Sequence, residues 1–201
     1  LGANERQGIL MLYAQVHLTL PAWVHEYVDA SRTYTSDAGK VALAIDLSKQ
    51  NVEANSGGPF GAAVFGADDR IIAVGVNRVV PHACSVAHAE MMAYMLAQGR
   101  TQRLRLNRDA EDNHIGPVTL ATSSQPCCQC YGATVWAGID RLLIGARAED
   151  VMALTEFDEG PLPQDWVGEL NARGIEVVRD IERDGACAVL RRYGELGGQR
   201  Y

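Results

Sequence analysis

Hydrophobic and polar positions along this chain follow a period that changes several times, and each change marks an element. After the N-cap pair Ser36-Asp37, the apolar residues Val41, Leu43, Ala44, Leu47 and Val52 fall on one helical face, which predicts a helix to about Asn55. Ser56-Gly57-Gly58-Pro59 must end it. Phe60 to Gly66 and Arg70 to Asn77 are rich in β-branched and small residues, and Ala67-Asp68-Asp69 between them is turn chemistry, so the pair reads as a β-hairpin. A loop containing Pro81 leads to a helix over Val86 to Gln98, with Gly99 as its stop.

The polar stretch from Arg100 to His114 mixes both charge signs and is expected to be a solvated loop. Strands are then expected at Val118 to Thr122, Arg141 to Gly145 and Ile175 to Val178. Helices are expected at Cys127 to Ala137, Glu149 to about Thr155, Trp166 to Ala172 and Ala186 to Tyr193. An irregular Asp/Glu/Pro loop, Phe157 to Asp165, interrupts the series. Strands alternating with helices imply a central sheet covered on both faces. Residues 1–35 show no sustained period; they are expected to form an arm, with one short helix near Trp23 to Tyr27, packed on a single domain of residues 36–201.

Composition narrows the function classes. In 201 residues, 18 Lys plus Arg stand against 25 Asp plus Glu, a formal net charge of −7. That balance argues against a protein whose main task is gripping phosphate backbones. No apolar run approaches the roughly 20 residues that cross a bilayer. Ile9 to Tyr13 is too short for a signal-peptide core and has no basic leader, so a cytoplasmic protein is expected. The start at Leu1 rather than Met leads us to expect residues upstream. Five cysteines are an odd number, and Cys127, Cys128 and Cys130 crowd into four positions. In a reducing compartment such a cluster reads as metal-binding or catalytic, while Cys84 and Cys187 read as small buried hydrophobes.

Two motifs carry the chemistry. His88-Ala89-Glu90 lies on the first turn of a predicted helix, and Pro126-Cys127-Cys128-Gln129-Cys130 lies where a strand gives way to the next helix. One imidazole and two thiolates, from His88, Cys127 and Cys130, supply three ligands for a zinc that keeps a fourth position for water. Helix starts favour thiolates through their free N–H groups and positive dipole end. Such a zinc lowers the pKa of its water toward neutrality, and Glu90 is placed to take that proton and pass it on. H-x-E paired with P-C-x-x-C is the zinc nucleobase-deaminase signature. A purely structural zinc would need a fourth ligand, yet the chain has no second C-x-x-C and no H-x₃-H. A thioredoxin-like redox pair would be expected earlier in the chain. Cys128 reads as a spectator of the cluster.

With these residues the chain resembles the cytidine deaminase-like superfamily and, within it, the guanine deaminase branch, over most of residues 37–201. Further matching segments are Gly58-Pro59-Phe60-Gly61-Ala62-Ala63, Asn77-Arg78-Val79, Gly132-Ala133 after the cysteines, and Phe157-Asp158-Glu159-Gly160-Pro161. The resemblance implies an α/β fold, three-layer α/β/α with a mixed five-stranded sheet, and one Zn²⁺ per chain at helix N-termini. It implies His88, Cys127 and Cys130 as ligands and Glu90 as proton shuttle. Asn77 would hydrogen-bond the base, Phe60 would wall the pocket, and Ala89 would belong to the base-binding set. Glu159 would be a second catalytic carboxylate, with Asp158 as its neighbour and rival. The family also implies homodimers in which the C-terminal segment, ending at Tyr201, is exchanged and closes the partner's site. Two departures stand out: Gln125, where relatives often carry Glu, and the long N-terminal arm.

The expected reaction is therefore hydrolytic deamination of a free nucleobase, guanine plus water to xanthine plus ammonia. Guanine presents donors at N1 and at its 2-amino group, and a carboxylate opposite them is the matching acceptor. Cytosine, isocytosine or an aminotriazine could meet the same groups. Deamination of a nucleoside or of adenosine in tRNA is opposed by the acidic charge, at least for the RNA. A non-enzymatic zinc module would leave Glu90 without a purpose.

Overall fold

The computed structural model describes residues 15–201. The Ile9 to Tyr13 patch lies outside the described residues. Within them, the arm carries the short helix α1 (Trp23–Tyr27), and α2 (Asp37–Glu53) follows with Ser36 as its cap, the Ser36 side chain accepting from Gly39 N. The hairpin forms as β1 (Gly61–Phe65) and β2 (Ile71–Val76). A helical turn, α3 (Val79–His82), precedes α4 (Ala89–Thr101). The rest alternates: β3 (Thr119–Ser124), α5 (Cys128–Ala137), β4 (Arg141–Ala146), α6 (Ala148–Thr155), α7 (Trp166–Asn171), β5 (Glu176–Val178) and α8 (Arg183–Glu195).

Strand order is β2-β1-β3-β4-β5. β1 pairs antiparallel with β2 and β3, whereas β3–β4 and β4–β5 are parallel, so the sheet is mixed and five-stranded as expected. Period-two alternation then sorts the side chains between two cores. Ala63, Phe65, Ala121 and Leu143 face Val41 and Leu47 of α2 and Val189 and Leu190 of α8. Ala62, Val64, Leu120 and Leu142 face Ala93, Tyr94 and Ala97 of α4. Lys40 is a charge on the buried face of α2. It is held by Asp69 Oδ1 at 2.6 Å and lies over the Phe65 ring.

Register puts three strand ends together. Gly61 at the start of β1 pairs with Val76 at the end of β2, and Ala62 pairs with Thr122 near the end of β3. Phe60, Asn77 and Gln125 therefore emerge at one end of the sheet. Gly75 lets a helix reach that end, because a Cβ there would collide with the Ala89 carbonyl oxygen at the start of α4.

Candidate active site

Both chemistry-bearing motifs sit at helix starts at this end of the sheet. His88 is the N-cap of α4, with extended backbone, rather than a residue inside its first turn. Cys127 caps α5 in the same way. The two helices leave adjacent parts of the sheet, and this brings residues distant in sequence to one centre. Cys127 Sγ lies 3.4 Å and Cys130 Sγ 3.6 Å from His88 Nδ1. All three donor atoms fall within 4.8 Å of one another. Tetrahedral zinc with Zn–N and Zn–S bonds of about 2.1 and 2.3 Å would separate N from S by about 3.6 Å. The donor set fits that ion in both chemistry and spacing.

Electrostatics follow from the crowding. Hydrogen bonding from Cys130 and from His88 holds the Cys127 thiol down at about 4, against the opposing effect of burial. Cys130 is pushed up because its proton is shared with Cys127 and because it is buried. Burial pulls on the His88 imidazole in the downward direction, but its bond to Cys127 and the nearby Glu90 charge outweigh this and leave it raised. The pair thus favours one thiolate beside one proton donor. A divalent ion held by His88, Cys127 and Cys130 would take the place of that proton.

Glu90 is buried beside this centre. Its Oε1 accepts from Thr122 Oγ1 at 3.1 Å, and its Oε2 lies 3.4 Å from Cys130 Sγ. Desolvation raises its pKa, with the Cys127 charge adding to the effect. A cleft of about 250 Å³ opens over these groups, bordered also by Phe60, Asn77, Gln125, Phe157, Glu159 and Tyr201. Glu159 is only 8% exposed. Among the described residues no donor reaches its carboxylate, and burial pushes it up to about 8, with the Cys127 and Glu90 charges contributing. Asp158 borders the cleft too, but it is exposed and its Oδ1 accepts from Gly160 N at 2.9 Å. Asn77 is 1% exposed; its Oδ1 accepts from Val79 N, which leaves the amide NH₂ for a ligand.

The family-model comparison matches residues 35–146 to the cytidine and deoxycytidylate deaminase zinc-binding region. The chain belongs to this family. A solved guanine deaminase from Nitrosomonas europaea is 39% identical with a TM-score of 0.84, covering 92% of this chain and 99% of that one. The protein NE0047, solved in complex with 2,6-diaminopurine, is 40% identical with a TM-score of 0.83, covering 92% and 95%. Among curated relatives, a probable cytosine deaminase from Schizosaccharomyces pombe is 32% identical over 64% of this chain and 74% of its own length.

As a member of this zinc-binding family, the chain has His88, Cys127 and Cys130 positioned to bind the metal. Of the other residues picked out from sequence, Phe60, Asn77, Glu90, Asp158 and Glu159 border the same cleft. Ala89 does not. It is fully buried and packs its methyl into the core at the start of α4. Sequence reasoning gave no role to Thr122 or Phe157. Phe157 was detectable as an aromatic in an otherwise polar loop; its ring lies 5.4 Å from Phe60 and 4.8 Å from Tyr201.

Proposed function

We propose that the protein is a zinc-dependent hydrolytic deaminase of a free nucleobase, converting guanine and water to xanthine and ammonia. The observation that carries this reading is Glu159, a buried carboxylate that no donor among the described residues reaches, set in the cleft beside Glu90. Guanine brings two adjacent donors, N1–H and the 2-amino group, which a carboxylate accepts together. Adenine offers an acceptor at N1 and no 2-amino group, so it leaves Glu159 unpaired. Both the base's donors and a divalent ion at the three ligands return Glu159 to its ionised form. The guanine deaminase from Nitrosomonas europaea supports the choice of base.

Zinc supplies Lewis acidity that brings the pKa of a water molecule toward neutrality. The protein's own groups do the rest. Glu90, with Oε1 beside the Thr122 hydroxyl and Oε2 beside Cys130, takes a proton, delivers it to the ring nitrogen beside the reacting carbon, and later serves the departing ammonia. The Asn77 amide holds the base edge, and Phe60 and Phe157 form apolar walls that exclude bulk water. Tyr201 brings its hydroxyl against Gly58 at the mouth. The reading includes a homodimer that exchanges the segment ending at Tyr201. It also includes a reducing, cytoplasmic setting, which keeps the cysteine ligands out of disulfides; no helix among the described residues is long and apolar enough to cross a membrane.

The test is ammonia release over a panel of guanine, cytosine, isocytosine, aminotriazines, adenine, nucleosides and tRNA. Guanine should be turned over fastest, and Glu159→Gln should reduce that rate at least about 10-fold, the equivalent of one charge-assisted hydrogen bond. A preference for cytosine, or an unchanged rate in Glu159→Gln, would overturn the assignment.

A further inference from the structure

The hydrogen bonds around Asn77 do not end at the cleft. Asn51, fully buried near the end of α2, donates Nδ2 to Gly58 O at 2.8 Å and to Asn77 O at 2.9 Å. It therefore ties together the two chain segments that flank the base-reading side chain. Its Oδ1 accepts from Ser56 Oγ at 2.7 Å, and Ser56 Oγ in turn accepts from Trp23 Nε1 at 3.0 Å. Arg78 makes a second connection. Its guanidinium donates to Ser56 O and, through Nε, to Thr19 O at 3.2 Å, while its backbone N–H binds Ala87 O, one residue before the ligand His88.

Thr19 and Trp23 belong to the N-terminal arm, which lies outside the stretch 35–146 matched by the family model. The segment they grip needs an anchor. Gly57 and Gly58 are there because their backbones must pass close to neighbours: a Cβ on Gly57 would collide with Asn77 O, and one on Gly58 with the Tyr201 hydroxyl. Two consecutive glycines give the loop wide conformational freedom, and without outside bonds it would sample many states. The chain from Trp23 through Ser56 to Asn51 selects one of them.

We propose that the arm is a positioning element of the active site: Trp23, acting through Ser56 and Asn51, fixes the main chain at Gly58 and Asn77 and so holds the Asn77 amide in register with the base. This rests on the base-binding role of Asn77 in the function proposed above. The effect belongs to binding rather than to the chemical step, because Asn77 touches the base and not the proton relay. A loss should therefore appear in KM with kcat nearly preserved.

The experiment compares Trp23→Phe and Ser56→Ala with wild type, using the base that wild type turns over fastest. Each variant's dissociation constant for that base is also measured by calorimetry in a Glu90→Gln background. Both variants should raise KM and the dissociation constant about 3- to 10-fold, the range for one neutral hydrogen bond. In both, kcat should stay within about twofold and zinc content should be unchanged. Ser56→Thr keeps the hydroxyl and should restore wild-type values. Unchanged KM in both variants would overturn the proposal, and so would losses of kcat and zinc that track a lowered Tm. If Trp23→Phe does not fold, the contrast of Ser56→Ala with Ser56→Thr decides alone. A base other than guanine would correct the substrate and leave this comparison intact, and if no base is turned over, guanine binding by calorimetry supplies the readout.

Discussion

At the scale of single residues, the site sets three metal-ligand donors beside a buried carboxylate. His88, Cys127 and Cys130 present their donors at tetrahedral spacing, and Glu90 stands beside them with one oxygen 3.1 Å from the Thr122 hydroxyl. Glu90→Gln keeps the size and the Thr122 contact but cannot carry a proton. It should retain zinc while kcat falls about 10²- to 10⁴-fold, measured by ammonia release beside metal analysis. Near-normal turnover would remove Glu90 from the relay. These four residues were legible in the sequence because each pair lies within one short motif whose spacing already implies a shared centre. Thr122 was not, since its role depends on which face of β3 meets α4. The family resemblance puts Glu159 ahead of its rival Asp158; in the structure Glu159 is buried, while Asp158 is exposed and accepts from Gly160 N.

Among the elements, legibility followed local chemistry. The Ser36 cap, the hairpin and the short helix at Trp23–Tyr27 formed where pattern and turn residues placed them. Gly99 did not stop α4. The helix runs on to Thr101 and ends where Gln102 turns left-handed at φ 55°, because an exposed glycine with no neighbour costs a helix only about 1 kcal/mol. The sequence predicts a loop around Pro81, yet Val79–His82 form the turn α3, because a proline in a first turn lacks only an N–H that has no helical partner. In α8 the polar first turn, Arg183 to Gly185, hid the true start ahead of Ala186.

That first turn ties α8 to α6. Arg183 donates Nε and Nη2 to Asp150 at 2.7 and 2.8 Å, and Asp150 also accepts from Arg147 N at 2.9 Å. The Arg183 guanidinium, followed by the Arg147 amide, pulls the Asp150 carboxyl down to about 2. A carboxyl depressed in the folded state stabilises the fold above its unfolded value near 4, and that contribution fades as pH falls from about 4 to 2. The Tm of wild type should therefore drop over that window more steeply than that of Asp150→Asn. Parallel Tm curves would show that Asp150 does not link the two helices. The effect should be modest because the pair is only partly buried and water still screens it.

For the whole molecule, the cleft draws on segments that lie outside residues 35–146 on either side. Trp23 of the arm braces the Gly57-Gly58 loop through Ser56, and Tyr201 of the same chain lies at the cleft on the other side, its ring against Phe157. Neither contribution could be read from motif spacing, since both depend on how chain ends return to the sheet. Exchange of the C-terminal segment between protomers can be measured by complementation. A chain carrying Glu90→Gln is mixed with one lacking Tyr201, after unfolding and refolding together. Exchange predicts a recovered site in the mixed dimer, with up to about a quarter to a half of wild-type rate depending on how the chains assort. No recovery would mean that each chain closes its own cleft.

All of this depends on how the three ligands meet their ion. Zinc K-edge X-ray absorption on the purified protein reads that arrangement without reference to any substrate. The expected spectrum fits one zinc per chain with two sulfurs at about 2.3 Å and two nitrogen or oxygen atoms at about 2.0–2.1 Å. A shell of four sulfurs, or a fully active protein without zinc, would contradict the proposed chemistry.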